Sequence, residues 1–394
     1  MKSSKPQFVG KKVKLGELCE ICSGGTPKRS VAEYWKDGTI PWVKIGDMSE
    51  KYVSSTEERI TDAGFNNSSV KMLEPGTLLY SIFASIGAVS ILKIPATTNQ
   101  AIAGLKIKDN SLDRDFLYHY LKSRESISKS SGRGAAQNNI NLTILRNMQV
   151  TLPSIEIQRS IVRNLEMISN QVTIAESHLM DLDALVKSRF VEIFGDFACY
   201  ETKPLIKCVD CIEAGKSPKC LAFSRKMAEP GVLKLSAISS GVYCENENKA
   251  LPRSVSLTID KVVHANDILL SRKNTPELVG RSVLVKHTDG NIMFPDIIFR
   301  MHPLPPINAM YLSYLLAGPL LHSIQSLAHG SAKSMSNIPK SELAKLSIPI
   351  PALNLQNEFA NFVSQVDKSR FVAQQQIEKL QMLYDSLAQE YFGD

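Results

Sequence analysis

One long stretch of this sequence occurs twice, as PSIEIQRSIVRNLEMISNQVTIAESHLMDLDALVKSRFVEIFGD at residues 153–196 and as PALNLQNEFANFVSQVDKSRFVAQQQIEKLQMLYDSLAQEYFGD at residues 351–394. The two copies keep a constant offset of 198 positions, so that Gln158 aligns with Gln356 and both copies end in FGD. No insertion breaks the alignment. A stretch that returns in this way indicates that a whole structural unit has been duplicated.

Apolar residues recur in both copies with alternating steps of four and three. This heptad spacing is typical of a helix that packs along its length against another helix. Arg370 interrupts the second copy, where it either fixes the register of the pairing or extends its charge to water. The predicted helix–helix seam comprises Ile161, Leu165, Ile168, Val172, Leu179, Leu182, Val186, Phe359, Val363, Val366, Ile377, Leu380 and Tyr384.

The composition is ordinary for a large water-soluble chain. The sequence has 394 residues, of which 43% are hydrophobic, and its apolar runs fall short of the ~20 residues that span a bilayer. Its first residues, MKSSKPQFVG, lack the apolar core of a signal peptide. Seven cysteines are an odd number, which argues against a secreted disulfide framework. We therefore expect a cytoplasmic protein with no membrane partner.

The net charge of +7 is unevenly distributed. Residues 1–150 carry 21 Lys and Arg against 14 Asp and Glu, and residues 201–352 carry 18 against 12, whereas both heptad segments are acidic. A basic block suggests a polyanionic partner, most often nucleic acid. The alternative is that an excess of this size only keeps the protein soluble.

The duplication extends beyond the helical stretches. Gly24 and Pro27 match Gly215 and Pro218 at an offset of 191, and each pair is followed by β-branched, strand-like text. The sequence thus predicts an α+β fold in which two mixed α/β globular blocks alternate with two long helices. The predicted boundaries are a flexible tail at 1–12, globular blocks at 13–152 and 197–350, and helices at 153–196 and 351–394.

Two such helices in one chain can bury their seams on each other. The chain enters the second block directly from the end of the first helix. An antiparallel two-helix coiled coil with one block at each end satisfies this connection and carries a pseudo-two-fold axis. Because the strands of duplex DNA are also related by two-fold axes, this symmetry suits DNA binding.

The sequence lacks the familiar catalytic motifs of DNA-modifying, ATP-driven and zinc enzymes. The Pro305-Pro306 pair is followed by Ile307, unlike the Pro-Pro-aromatic loop of methyltransferases that flip adenine. Neither a GxxxxGK[ST] phosphate loop nor an HExxH zinc motif occurs. Gly24-Gly25 is better interpreted as a turn than as a phosphate cradle. We therefore predict no catalytic residue, no resident metal and no cofactor in this chain.

The cysteines leave one alternative open. Cys199, Cys208, Cys211 and Cys220 lie within a short segment whose thiols are numerous enough to hold zinc. Cys19 and Cys22 form a second CxxC, but the alignment at offset 191 does not place the two CxxC pairs opposite each other. Ordinary, partly buried thiols are the favoured interpretation.

The sequence resembles the specificity subunit of type I restriction-modification systems over essentially residues 13–394. The resemblance is carried by KLGELCEICSGGTPK at 14–28, PWVKIGDM at 41–48, QNNIN followed by LPSIEIQ, and the two FGD endings. The second block departs from the pattern, because KPLIKCVDCIEAGKSPK at 203–219 is a weak version of the first opening.

The resemblance implies a non-catalytic subunit with two target recognition domains, each of which reads one half of a bipartite, asymmetric DNA site. It also implies that the helix pair sets the unread spacer and docks two methyltransferase subunits, which motor-nuclease subunits then join. S-adenosylmethionine, ATP and Mg²⁺ would belong to those partner subunits. The assembled complex, rather than this chain, would then be the adenine methyltransferase and ATP-dependent endonuclease.

Candidate DNA contacts follow from residue type and loop context. Phosphates are bound by Lys and Arg, whereas bases are read by Arg, Asn, Gln, Asp or Glu. For each single residue the alternative is an ordinary solvated surface charge. The candidates are Lys28, Arg29, Lys44, Arg133, Gln137, Asn138, Lys216, Lys219, Arg225, Lys226, Arg272, Lys273, Asn274 and Lys333.

Two further functions remain open at this point. A coiled-coil scaffold whose basic blocks bind protein would have only non-specific DNA affinity. A metal-dependent nuclease without a recognised motif would cleave DNA in magnesium. The recognised sequence and the spacer length do not follow from the amino-acid sequence.

Overall fold

A computed structural model of the chain describes residues 10–83, 87–130, 140–330 and 335–393, with the backbone alone described for 125–130. The chain divides into two compact units. Unit 1 comprises Met1–Leu179 with Val372–Asp394, and unit 2 comprises Met180–Phe371. Each unit therefore contains a part of both duplicated stretches.

Unit 1 is built on two β-sheets. A five-stranded sheet has the order β2-β9-β6-β7-β4, a three-stranded sheet has the order β5-β3-β8, and β1 pairs with β10. The strands are β1 (Lys11–Lys14), β2 (Cys19–Ser23), β3 (Ile40–Val43), β4 (Tyr52–Val53), β5 (Glu58–Ile60), β6 (Leu78–Ser81), β7 (Val89–Leu92), β8 (Thr97–Thr98), β9 (Ile102–Ile107) and β10 (Gln149–Leu152).

The predicted flexible tail needs one correction. Residues 1–9 lie outside the described residues, but Lys11 and Lys12 already belong to β1 and pair with Leu152 and Thr151. These backbone hydrogen bonds order the chain before the predicted boundary at residue 12.

Helices cover the larger sheet of unit 1. Phe116, Leu117 and Leu121 of one helix are buried in a core with Leu78 and Leu105 of the central strands. Short 3-10 turns occupy Ala32–Tyr34 and Ile45–Met48. The helices are α1 (Leu15–Leu18), α2 (Asp62–Asn66), α3 (Arg114–Ser130), α4 (Leu142–Asn147) and the first long helix, α5 (Ile155–Phe194), whose C-terminal part lies in unit 2.

Unit 2 has a comparable pair of sheets. Their orders are β12-β19-β15-β17 and β14-β13-β18, with two further ladders, β11-β21 and β16-β20. The strands are β11 (Thr202–Pro204), β12 (Glu213–Ala214), β13 (Gly231–Leu233), β14 (Asn248–Ala250), β15 (Ile268–Ser271), β16 (Lys273–Asn274), β17 (Ser282–Leu284), β18 (Ile292–Met293), β19 (Ile298–Met301), β20 (Ser336–Asn337) and β21 (Ser347–Pro349).

The core of unit 2 is rich in aromatic rings. Phe190, Phe194, Tyr311 and Phe359 are buried together, and the ring centroids of Phe194 and Tyr311 lie 4.7 Å apart. Short 3-10 turns occupy Phe197–Cys199, Leu205–Lys207 and Ile259–Lys261. The helices are α6 (Ser236–Ser239), α7 (Ala309–Ala317), α8 (Leu321–Ser326), α9 (Lys340–Leu343) and the second long helix, α10 (Leu353–Phe392), whose C-terminal part lies in unit 1.

The strand ladders of the two units have the same register. In unit 1, β2 and β9 pair Cys22 with Gly104. In unit 2, β12 and β19 pair Glu213 with Arg300. The central ladder agrees as well, because Leu78 pairs with Leu105 in unit 1 and Ile268 pairs with Met301 in unit 2. The sequence matches of the two halves are therefore accompanied by matching backbone pairing.

A buried glutamine fixes the start of each long helix. The side chain of Gln158 donates to the carbonyls of Ser111 and Pro153 at 2.7 and 2.9 Å and accepts from the backbone N–H of Asp113 at 2.8 Å. Since Gln158 is fully buried, these bonds satisfy backbone groups that water does not reach.

Gln356 makes the corresponding bonds in unit 2. It donates to the carbonyls of Pro306 and Pro351 at 3.3 and 2.9 Å and accepts from Asn308 N–H at 2.8 Å. The Pro and Gln letters shared by the two copies therefore have a common structural role in both units.

Within each unit, segments of the two long helices pack in opposite directions. In unit 1, the amide of Asn164, near the start of α5, donates to the hydroxyl of Tyr391 near the end of α10 at 3.1 Å. In unit 2, Arg189 near the end of α5 pairs with Glu358 near the start of α10 at 2.6 Å. α5 ends where Gly195 takes a positive φ of 50°, a conformation that glycine adopts without steric cost.

Every helix among the described residues is either too short or too polar to span a bilayer. All seven cysteines are free thiols. The described residues also contain no group of three or more His, Cys, Asp or Glu side chains placed to hold a metal ion.

Candidate nucleic-acid interface

A tight glycine loop follows β2 in unit 1. The N–H of Gly24 donates to the carbonyl of Ile102 at 3.3 Å, and the N–H of Gly25 donates to that of Thr98 at 2.9 Å. A Cβ at Gly24 would lie 2.0 Å from the Thr98 carbonyl oxygen. Only glycine fits there. The next residue, Thr26, places its hydroxyl in a short hydrogen bond with Oε1 of Gln100.

The equivalent loop in unit 2 makes the same bonds. Gly215 N–H donates to Ile298 at 3.4 Å, and Lys216 N–H donates to Phe294 at 3.0 Å. A Cβ at Gly215 would approach the Phe294 carbonyl oxygen to 1.8 Å. Ser217 then forms a short hydrogen bond with a carboxylate oxygen of Asp296.

The predicted cations next to the unit 1 loop differ in how they are held. Lys28 is exposed, whereas the guanidinium of Arg29 lies 3.7 Å from the ring centroid of Trp35 and 2.5 Å from Glu58. Trp35 in turn donates its indole N–H to the carbonyl of Lys28 at 3.2 Å. A cation stacked on an indole is stabilised by the ring quadrupole and is held in one orientation.

Lys44 belongs to the same acidic–basic cluster. Its ammonium lies 2.7 Å from Glu57 and 2.8 Å from Glu58. Hydrogen bonds to these two carboxylates raise the pKa of Lys44. Hydrogen bonds from Arg29 and then Lys44 lower the pKa of Glu58. Both shifts favour the charged forms of Lys44 and Glu58.

Arg272 and Lys273 lie beside the unit 2 loop. Arg272 donates to the carbonyl of Asp296 at 3.3 Å, and the ammonium of Lys273 is 3.9 Å from its carboxylate. Lys216 and Lys219 are exposed on the loop itself. Of these four cations, Lys216 lines a cleft of about 450 Å³, whose lining residues are Gly215, Lys216, Ser217, Pro218, Val255, Ser256, Thr258, Met293 and Asp296.

Arg225 has a different environment. Its side chain is only 5% exposed and lies 2.8 Å from Glu245 and 2.8 Å from Asp289. Burial raises the pKa of Asp289, but the hydrogen bond and charge of Arg225, together with backbone N–H groups, outweigh burial, and the pKa is lowered. Because the Arg225 guanidinium is enclosed by these carboxylates, we keep only its exposed neighbour Lys226 as a candidate DNA contact.

Asn274 is likewise buried, and its amide donates to the hydroxyl of Ser271 at 3.4 Å. Its Oδ1 accepts from the backbone N–H of Thr275 at 2.9 Å, so the side chain is used within the protein and we omit it from the proposed contacts. Four further candidates, Arg133, Gln137, Asn138 and Lys333, lie outside the described residues.

The predicted seam residues lie on the packed sides of the helices. Val172, Leu179, Ile377 and Leu380 are half-buried, and the other seam positions are buried. Arg370 reaches Asp183 of the neighbouring helix at 2.5 Å and Asp367 of its own helix at 3.0 Å, both within unit 2. The buried seam positions are Ile161, Leu165, Ile168, Leu182, Val186, Phe359, Val363, Val366 and Tyr384.

Sequence reasoning did not select Thr26, Gln100, Ser217 or Asp296. A signal for Thr26 and Ser217 was present, because GGTP and GKSP align at the offset of 191. No such signal marked Gln100 and Asp296, whose equivalence is revealed only by the pairing register of β9 and β19, the strands that they precede.

The geometry defines an α+β protein with two similarly paired units, each with a glycine loop next to exposed lysines. Comparison with known proteins identifies the class. The family described as "Type I restriction modification DNA specificity domain" matches residues 10–181.

Among curated proteins, the type I restriction enzyme EcoR124I/EcoR124II specificity subunit of Escherichia coli is 30% identical over 158 residues, 39% of each chain. The MjaVIII specificity subunit of Methanocaldococcus jannaschii is 23% identical over 382 residues, 90% of this chain and 85% of the relative. The matches to the first relatives span less than half of those proteins' length.

Two solved structures share the fold over nearly the whole chain. A chain from a study of complex assembly and conformational transition of the type I R-M system aligns with a TM-score of 0.58 and 16% identity, covering 99% of both chains. The S subunit from M. genitalium aligns with a TM-score of 0.50 and 14% identity, covering 99% of this chain and 97% of the other. The resemblance seen in the sequence is thereby confirmed: residues 10–181 match the type I specificity domain, and the chain as a whole shares the fold of these two structures.

Proposed function

We propose that the chain is the non-catalytic, sequence-specific DNA-binding subunit of a type I restriction-modification complex. Each globular domain reads one half of a bipartite, asymmetric site in double-stranded DNA. The observation that carries this proposal is the glycine loop with exposed lysines, which occurs in both units with the same backbone bonds but different surface side chains. Two domains that share a backbone arrangement but carry different surface side chains are suited to recognise two different half-sites.

The proposed architecture is an internal duplication. Target recognition domains at 13–152 and 197–350 are joined by helices at 153–196 and 351–394, which form an antiparallel coiled coil with pseudo-two-fold symmetry. The shared ladder registers, the two buried glutamines and the opposed helix contacts within each unit support this arrangement. In this proposal the coiled coil sets the length of the unread spacer.

The proposed protein partners are two methyltransferase subunits and, in the full complex, the restriction and motor subunits. S-adenosylmethionine, ATP and Mg²⁺ are assigned to those partners, and the proposed location is the cytoplasm, where the DNA is. Apolar side chains exposed on the long helices support docking of protein, because water disfavours such surfaces. They include Met167, Ile174, Met180, Val191, Phe371, Val372, Met382 and Leu383.

Selection from a random DNA duplex library with the purified full-length chain tests the proposal. We expect a consensus of two short blocks separated by a gap, with an affinity that falls as salt rises because phosphate contacts release counterions. Recovery of a single continuous block would contradict the bipartite site.

The exposed apolar side chains of the helices also suit the alternative, a scaffold whose basic domains bind protein. A scaffold would bind DNA with salt-dependent affinity but would select no sequence. The same preparation, incubated with magnesium and plasmid DNA, tests the nuclease alternative. We expect no cleavage by the isolated chain.

A further inference from the structure

One polar pair occupies the same place in both units but has different chemistry. In unit 1 it is Thr26 with Gln100, and in unit 2 it is Ser217 with Asp296. The hydroxyl-bearing residue follows the glycine loop in both units. Its partner is Gln100, just before β9, in unit 1 and Asp296, just before β19, in unit 2. These two strands pair with β2 and β12, the strands that lead into the glycine loops.

The strand register establishes that Gln100 and Asp296 are equivalent. Gly104 pairs with Cys22 in unit 1, and Arg300 pairs with Glu213 in unit 2. Gln100 and Asp296 each stand four residues before these paired positions. The backbone bonds agree, because the loop N–H groups bind carbonyls two residues before and two residues after both Gln100 and Asp296.

Both side chains are oriented before any ligand binds. The Thr26 hydroxyl holds Oε1 of Gln100, and the Ser217 hydroxyl holds Oδ1 of Asp296. The backbone N–H of Asp296 also donates back to the Ser217 hydroxyl at 3.2 Å. Side chains restrained in this way lose less conformational entropy when they bind a partner.

Both groups remain open to solvent. Gln100 is exposed, and the side chain of Asp296 retains 46% of its accessible surface. Exposed lysines stand nearby, with Lys28 in unit 1 and Lys216 and Lys219 in unit 2. Such cations bind the phosphates of a duplex and thereby bring base edges within reach of neighbouring polar groups.

The two side chains differ in the base that each recognises. A glutamine amide donates and accepts at once, which matches N7 and N6 of adenine in the major groove. A carboxylate only accepts, which matches the N4 amine of cytosine.

From the shared place, the restraint by a hydroxyl and the different chemistry, we infer that Gln100 and Asp296 are equivalent base-reading residues of the two domains. Gln100 reads adenine in one half-site, and Asp296 reads cytosine in the other. Thr26 and Ser217 are positioning residues. This inference rests on the proposed DNA-binding function.

The test is selection from the random duplex library with the full-length wild-type chain and with Gln100→Ala and Asp296→Ala variants. We expect Gln100→Ala to lose discrimination at one adenine of one block by roughly 5- to 150-fold, and Asp296→Ala to lose it at one cytosine of the other block. All other positions of the consensus should be unchanged.

Conservative variants separate base reading from a structural role. Gln100→Glu keeps an acceptor for Thr26 but loses the amide donor, so it should also lose the adenine preference. Thr26→Ser keeps the hydroxyl and should keep the wild-type consensus. Thr26→Val removes the hydroxyl and should weaken the preference for adenine. Gln171→Ala, at an exposed position of α5, is the matched control and should change nothing.

Two results would overturn the base-reading roles of Gln100 and Asp296 while leaving the proposed function intact. In the first, the alanine variants keep the full wild-type consensus, and in the second, they lose affinity equally for every sequence. A wild-type chain that selects no sequence at all would overturn the proposed function and this inference together.

Discussion

Several candidate cations are already paired with carboxylates when the protein is free. Arg29 binds Glu58, Lys44 binds Glu57 and Glu58, and Lys273 lies 3.9 Å from Asp296. DNA phosphates must compete with these partners, since each ammonium or guanidinium has a limited number of donors. Lys28, Lys216, Lys219 and Lys226 are exposed and are therefore the first phosphate contacts that we propose.

His119 predicts a pH-dependent stability of unit 1. Its imidazole is buried, with Nδ1 2.8 Å from the Tyr384 hydroxyl. Burial, and then the charges of Lys51 and Lys122, lower the pKa of His119 to about 3. The unfolded chain takes up the proton near pH 6.5, so stability is full above that pH and falls as the pH drops toward 3.

We expect His119 to remove about 1.5 kcal/mol of stability between pH 6.5 and 5. His119→Gln should abolish this slope, and His178→Gln, at an exposed position of α5, should preserve it. Tryptophan fluorescence during urea unfolding is the measurement, because both tryptophans, Trp35 and Trp42, lie in unit 1. An unchanged slope in His119→Gln would rule out this histidine as the cause.

We expect Arg225 to stabilise the fold of unit 2 rather than to contact DNA. Arg225→Met leaves Glu245 and Asp289 without their shared cation and should destabilise unit 2 by about 3 kcal/mol. Lys226→Met, at the exposed neighbouring position, should change stability by no more than about 0.5 kcal/mol. Urea unfolding followed by circular dichroism compares the two variants. Equal stability of both would mean that the buried ion pairs contribute little.

Among the elements, the entry to each long helix depends on a single side chain. Gln158→Leu keeps a similar volume but leaves the N–H of Asp113 and two carbonyls without a partner. Each buried group left unsatisfied costs about 1–3 kcal/mol, so the three groups together predict a loss of at least about 3 kcal/mol. Tryptophan fluorescence during urea unfolding measures it, with Gln171→Leu as the exposed control. If Gln158→Leu lowered the free energy of unfolding no more than Gln171→Leu does, the role given to Gln158 would be contradicted.

The glycine loop supplies a second test of an element. Gly24→Ala places a methyl group 2.0 Å from the Thr98 carbonyl oxygen and should destabilise unit 1 by about 2–3 kcal/mol. Gly46→Ala is the matched control, because its Cβ would meet nothing within 4 Å. The binding of duplex DNA should weaken with Gly24→Ala only. Equal binding by both variants would exclude the loop from the interface.

Sequence patterns predicted the helices and strands better than they predicted the side-chain contacts. The strand-like text that follows Gly24 and Pro27 does contain a strand at Ile40–Val43, and the Pro-to-Gln letters do mark the entries to both long helices. The offset of 191 correctly aligned the two glycine loops. Gln100 and Asp296 were missed because insertions change the offset to 196 by that point, and only the strand register reveals it.

Arg225 shows a second limit of the sequence. Its partners, Glu245 and Asp289, lie 20 and 64 positions further along the chain, so no local pattern indicates that the guanidinium is enclosed. A basic residue in a polar loop looks the same whether it faces DNA or an internal carboxylate. Candidate contacts selected by residue type therefore needed the tertiary structure to separate surface cations from structural ones.

For the whole molecule, the central claim is that one chain supplies two different DNA readers. The family match at residues 10–181, the two similarly paired units and the two loops with different polar side chains support this claim. The same reasoning explains why the charge alternates along the chain: the basic blocks would face phosphates, whereas the acidic helices would not.

The most direct test is sequencing of methylated adenines in cells that carry this chain together with its methyltransferase subunit. We predict a single motif of two blocks with a fixed gap, which disappears when the chain is deleted and changes in one block only with Asp296→Ala. Methylation that persists without the chain, or a motif of one uninterrupted block, would contradict the claim.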